Sequence, residues 1–163
     1  MNDQATAGYQ IGVVSPEVLL SYDGLGFLKA MIAGELPAPP IMQTLGFMLT
    51  EAGPGRALFR GTPEYRHYNP IGTVHAGFAA TLLDSAMACA VHSTLAKGES
   101  YTTLEFKINL VRALTDKVGP VTAEGVMVHR GRTIATSEGY LKDAAGKLYA
   151  HANTTCVIFP AKG

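Results

Sequence analysis

The stretch NPIGTVHAGFAATLLDSAMACA, residues 69–90, constrains this chain more than any other segment. It opens on a Pro/Gly turn and continues as a run of small and apolar residues, which predicts a helix from about Val74 to Leu95. Little of that helix is polar, so other elements have to cover it on most sides. One carboxylate, Asp84, stands in its middle. At about 100° per residue, Asp84 shares its face with Gly77, Ala80, Thr81 and Ala88, a stripe of small side chains. Phe78, Leu82, Met87 and Val91 fall to other sides.

What covers the helix is legible in its flanks. The polar residues up to Val14 read as a loose tail. Ser15 as cap, Pro16 at the first helical position and Glu17 in the first turn start a helix, which Gly24 and Gly26 weaken enough to break. The PAPP run at 37–40 reads as a linker that ends it. Residues 44–52 and 56–64 read as two strands joined by a GPG turn. After the apolar helix the period changes to two. Leu104, Phe106, Ile108 and Leu110 alternate with Glu105, Lys107 and Asn109, which predicts a strand with one buried face. Residues 120–130, 133–143 and 147–159 supply three more strands, linked by RGR and AAG in the spacing of an antiparallel meander. The expected architecture is α+β: a curved antiparallel sheet of about six strands wrapped around one long helix. At 163 residues there is room for one such domain, assigned to 41–163, with 1–40 as an N-terminal extension carrying a helix.

The remaining composition mostly excludes. Thirteen basic residues balance 13 acidic ones, which argues against nucleic acid as a partner. The start of the chain lacks the basic and apolar regions of a secretory signal, and no window approaches the roughly 20 apolar residues of a membrane span. The expected location is therefore cytoplasmic, with no membrane partner. Cys89 and Cys156 show no metal or redox spacing and read as buried thiols. The five histidines, His67, His75, His92, His129 and His151, form no zinc pattern, so no metal is expected. There is no dinucleotide fingerprint, phosphate-binding loop or serine-hydrolase elbow.

The chemistry is then left to the helix. A partly buried carboxylate, poorly solvated, has a raised pKa and suits proton transfer or nucleophilic attack. The HAG sequence at the helix start leaves the amides of Ala76 and Gly77 without intrahelical acceptors, and such N–H groups can hold an oxyanion. Yet Ala76 and Asp84 are eight residues apart, about 12 Å along one axis, too far for one carbonyl to touch both. Two copies packed antiparallel about a two-fold axis would bring the helix start of one beside the Asp of the other, and the small-residue stripe permits that approach. The sequence therefore predicts a site at a dimer interface.

Asn69, His75 and Asp84, in the setting NPIGTVHAGFAATLLDSAMACA, resemble in identity and spacing the Asn…His-Gly-Gly…Asp segment of hotdog-fold acyl-CoA thioesterases. The group concerned holds the phenylacetate-pathway (PaaI-like) thioesterases and thioesterase superfamily member 2. The later HRGRTIATSEGYLKDAAGKLYAHANTT run also resembles that family's closing strands, so the likeness covers roughly residues 40–159. It implies a hydrolase that cleaves acyl-CoA, needs no cofactor because CoA is part of the substrate, and assembles as homodimers, often paired into homotetramers. It implies Asp84 as base or nucleophile, the Ala76 amide as oxyanion hole with Gly77 beside it, His75 fixing the local geometry, and Asn69 positioning thioester or water. A hydroxyl on the strand after the helix is expected opposite the Asp. Thr103 is the first choice and Thr102 the second. For the CoA phosphates, Arg130 and Arg132 on the HRGR turn are candidates, with Arg112 at a strand end. Tyr68, Phe27 and Met31 are candidates for the acyl pocket. One departure is that Ala76 stands where the family usually has glycine. Two other functions share the fold: a dehydratase or hydratase, which would pair the loop His with a helix Glu, and a non-catalytic acyl-CoA binding module.

Overall fold

The computed structural model describes residues 8–161. Three short helices lead: α1 (Pro16–Ser21), α2 (Gly24–Ile32) and α3 (Pro40–Leu45). The strands β1 (Phe47–Gly53) and β2 (Arg56–Gly61) form a hairpin, and the helix α4 (Ala76–His92) follows. The chain ends in β3 (Glu99–Leu110), β4 (Val121–Arg130), β5 (Ile134–Asp143) and β6 (Leu148–Pro160). The six strands make one sheet in the order β1-β2-β4-β5-β6-β3, antiparallel at every pairing, so β1 and β3 are its edges.

The sheet curves around α4, as the change of period along the chain implies. Phe78, Leu82, Leu83, Met87 and Val91 of α4 are buried, and each contributes on the order of 1.5–3 kcal/mol to the core. Alanines fill much of the rest of the helix and keep its axis close to the strands. Gly125 of β4 makes the closest approach possible, since a Cβ there would run into the Ala86 carbonyl. Ser137 of β5 donates its hydroxyl to the Met87 carbonyl at 2.9 Å, which fixes the helix along the sheet.

Three expectations need correction. The segment 8–14 is not a loose tail: Ile11 bridges Ala38 in parallel, and Gly12 N–H and Ala38 N–H exchange bonds with Ala38 and Gln10 carbonyls. Residues 1–7 of that tail lie outside the described part. PAPP does not merely end a helix; Pro40 begins α3, which Gly46 closes in the left-handed region at φ 65°. The first strand accordingly begins at 47 and not 44. The predicted break in the first helix falls at Tyr22–Asp23, where the Asp23 carboxylate accepts from Gly26 N–H at 2.6 Å and caps α2.

The third correction concerns β3. A bulge between Thr103 and Glu105 throws Leu104 to the outer face, 57% exposed. Phe106, Ile108 and Leu110 do share the inner face, paired with Thr154, Ala152 and Ala150, but of the three Ile108 alone packs against the core around α4. Phe106 and Leu110 are 37% and 54% exposed, so the face predicted to be buried is partly open on a free sheet edge within one chain.

Candidate active site

The start of α4 is built by the loop before it. The Asn69 side chain organises residues 69–73: its Oδ1 accepts from the Ile71 and Thr73 amides, and its Nδ2 donates to Thr73 Oγ1 at 2.9 Å. Val74 N–H donates to the Leu114 carbonyl and His75 N–H to the His67 carbonyl, so the chain enters the helix tied on both sides. His75 is the N-cap. Its Nδ1 accepts from Gly77 N–H at 2.9 Å, which its ring can do because residue 77 has no Cβ to meet that nitrogen. The Gly77 amide is thereby used up. Among the described residues, no acceptor takes the Ala76 N–H, which is left at the positive end of a 17-residue helix. It opens on a cavity of about 250 Å³ whose walls include Asn69, His75, Leu110, Arg112 and Tyr149.

Asp84 lies two turns further along. It is half-buried, and Thr103 Oγ1 of β3 donates to its Oδ1 at 3.2 Å. Burial raises the carboxyl's pKa above its ordinary value, and the Thr103 bond partly opposes the rise. Thr102 is exposed and sits at the rim. Asp84 faces a second cavity, of about 460 Å³, walled by α2, α3, α4 and β3. Its other titratable groups are neutral near pH 7. Burial pushes the Cys89 thiol up to about 12, lowers His92 to about 4, and holds the Tyr101 phenol well above its usual value. Asp84 is the one acid lining this cavity, which has no Lys or Arg.

The model of the thioesterase superfamily matches residues 71–150, a span that holds the helix start, Asp84 and Thr103. A variant of the phenylacetic acid degradation protein PaaI from Thermus thermophilus is 31% identical. It superposes with a TM-score of 0.65 over 72% of this chain and 97% of its own. The chain belongs to the thioesterase superfamily. A phenylacetic acid degradation-related protein from Ralstonia eutropha is 28% identical, with a TM-score of 0.73 over 80% of this chain and 98% of its own. Acyl-coenzyme A thioesterase 13 of Homo sapiens is 29% identical over 131 residues, 78% of this chain and 91% of that protein. The sheet-wrapped helix is thus the hotdog fold, and the chain is a thioesterase.

Within one chain of this thioesterase the sequence-derived residues fall into two groups that do not meet. Asn69, His75, Ala76 and Arg112 line the smaller cavity, and Asp84 and Thr103 line the larger. Arg130 is engaged elsewhere, its guanidinium bonded to the Glu99 carboxylate at 2.5 Å, and Arg132 is exposed on the β4–β5 turn. Tyr68 lies in neither lining and bonds Asp116 through its hydroxyl at 2.7 Å. Tyr101 has no counterpart among the residues singled out from the sequence, and Cys89 and His92 figured there only as a buried thiol and as one of five histidines without a metal pattern. The helical period puts His92 two turns beyond Asp84 on one face, which was the available signal. Among the described residues no His, Cys, Asp and Glu group could hold a metal, and no helix is long and apolar enough to cross a membrane.

Proposed function

We propose that this thioesterase hydrolyses acyl-CoA to the free acid and CoA at sites that two chains build together. The observation carrying this reading is the division of the site: a free amide in one cavity and a raised-pKa carboxylate in another, separated along one helix. The partly uncovered inner face of β3, an edge strand whose Phe106 and Leu110 are exposed, supports a second copy as its cover. With two helices antiparallel, the Ala76 amide of one chain faces the Asp84 carboxylate of the other across the substrate carbonyl.

The chemistry then needs little more. Asp84 takes a proton from water while the oxygen attacks the thioester carbon, and the Ala76 N–H holds the oxyanion that forms. Collapse expels the CoA thiolate, and the proton on Asp84 returns to the sulfur. Direct attack by Asp84, through an anhydride that water then opens, uses the same placement. His75 removes the competing Gly77 amide and orients the turn. Asn69 acts through the loop, since its polar atoms are engaged there.

Either route needs the carboxylate, so activity rises with pH through the raised pKa of Asp84. Thr103→Val removes a hydrogen bond that lowers that pKa. The acid limb of kcat/KM should therefore move to higher pH than in the wild type. A limb that stays in place, or moves down, would separate Thr103 from Asp84.

Of the three arginines, Arg112 is the one at the Ala76 cavity, where Nη1 donates to the Leu148 carbonyl at 2.6 Å and fixes the side chain. We assign it to the phosphate-bearing part of CoA. Arg112→Ala should raise KM for acyl-CoA on the order of tenfold, the scale of one charged hydrogen bond, with kcat nearly unchanged. Hydrolysis of the matching N-acetylcysteamine thioester, which has no phosphate, should be unaffected. An equal loss on both substrates would overturn the assignment. Thiol release across a panel of acyl-CoAs tests the whole reading, and its absence from all of them would leave a binding module.

A further inference from the structure

The cavity beside Asp84 has an axis and an end. Asp84, Ala88 and His92 follow one another at helical spacing on α4 and all three line it, so it runs along that face of the helix for about 12 Å. Asp84 and Thr103 stand at one end. At the other, the ring of Phe27 from α2 packs on His92 with centroids 5.3 Å apart, and His92 meets Tyr101 at 5.4 Å. Met31, one turn along α2 from Phe27, is buried on the same wall.

This end is held firmly. Gly24 N–H donates to the Leu95 carbonyl at 3.0 Å, and a Cβ at 24 would collide with the His92 carbonyl, so α2 starts hard against the end of α4. Phe27 is supported from behind by Tyr22, edge-on at 6.3 Å. The far end of α2 is tied down by the Tyr9 hydroxyl on the Ile32 carbonyl at 3.0 Å. A wall fixed at both ends cannot retreat before a longer ligand, and overfilling a packed site is costly.

We infer that Phe27 and Met31 set the length limit of the acyl group, and that the substrates are apolar, medium-chain acyl thioesters. This rests on the placement of catalysis at Asp84 proposed above. The wall facing the chain carries no charge beyond Asp84, and its imidazole is neutral, so a charged acyl tail finds no partner there. The span of about 12 Å from Asp84 to His92, a little over two helical turns, accommodates an extended chain of roughly eight to ten carbons before the ring of Phe27 on His92. The two methionines on the wall, Met31 and Met42, adapt to small differences in chain shape but do not lengthen the cavity.

The test is a chain-length series of straight acyl-CoAs from acetyl to palmitoyl, compared as kcat/KM for the wild type, Phe27→Ala and Phe27→Trp. For the wild type, each methylene should add about fourfold until the chain reaches the ring, then lose more than that. Phe27→Ala should carry the maximum two or more carbons further, and Phe27→Trp should bring it back. Met31→Ala, a smaller change on the same wall, should shift it in the same direction as Phe27→Ala. The same series as S-alkyl-CoA thioethers, which cannot be hydrolysed, is measured by calorimetric binding. That readout keeps the length limit testable if the thioesters are not turned over. A maximum unmoved in all three variants, each with an unfolding transition like the wild type's, would overturn the inference. Its failure would leave acyl-CoA hydrolysis itself intact, whereas binding of the thioethers without hydrolysis of any thioester would overturn hydrolysis and keep the length limit.

Discussion

Replacing Asp84 by asparagine is expected to lower the turnover of acyl-CoA by a factor of about 100 or more, because the amide can neither accept a proton nor attack. Shape and the bond from Thr103 both survive the change, so substrate binding should hold and kcat should fall. Stability moves the other way. The folded-state pKa of Asp84 lies above its ordinary value, so protonation favours the fold; that contribution is full at low pH and is lost as pH rises through the raised pKa. At pH 7 the carboxylate therefore weighs against the fold, and asparagine removes that load. Thermal unfolding of Asp84→Asn should come at a temperature at or above the wild type's at pH 7, with the difference closing in acid. A variant that is both slow and less stable would mean that Asp84 is a structural partner, and near-normal turnover would remove it from the mechanism.

The second large effect belongs to the other half of the site. Ala76→Pro deletes the N–H proposed to hold the oxyanion while leaving the helix possible. Residue 76 is the first helical position, where proline is favoured, and His75 before it is extended at φ −59°, ψ 139°. The loss expected for one oxyanion donor is about 100- to 1000-fold in kcat. Mixing this variant with Asp84→Asn then tests the shared site directly. Each chain is inactive alone, but a mixed dimer has one intact site, formed by the Ala76 amide of one chain and the Asp84 of the other. If chains exchange freely, half the dimers are mixed and each has one of two sites, so about a quarter of wild-type activity returns. Exchange is followed by native mass spectrometry of differently tagged chains. Mixed dimers without recovered activity would place a complete site within one chain.

The central helix and its acid were legible because their signals are local. Apolar and small residues at helical spacing, a turn before them, and one carboxylate among them identify the element and its odd residue without any tertiary knowledge. The presence of the later strands followed from the change of period after residue 100, but not the seating of β3 beside β6 at the sheet edge. What stayed hidden depends on partners distant in sequence. PAPP read as a stop because proline ends helices more visibly than it begins them, although Pro40 at a first helical position and Gly46 just past the end did mark α3. Leu104 looked like a core position because alternation cannot reveal a bulge, which moves every following residue relative to those before it. The wall of the larger cavity comes from residues 27–42 packed on residues 84–103, and no local pattern announces such a meeting.

The close seating of α4 on β4 also governs traffic. At Gly125 and Gly139 there is no side chain to hold helix and strands apart; a Cβ at 139 would stand 2.8 Å from Met87 Cγ. That flank of the helix is shut to anything the size of an acyl chain. The opposite flank, where Ala80, Thr81 and Asp84 are only half-buried, is the side left for substrate and for the partner helix proposed above. The two glycines thus act as a seam, and the Asp84 carboxylate lies on the open side of it.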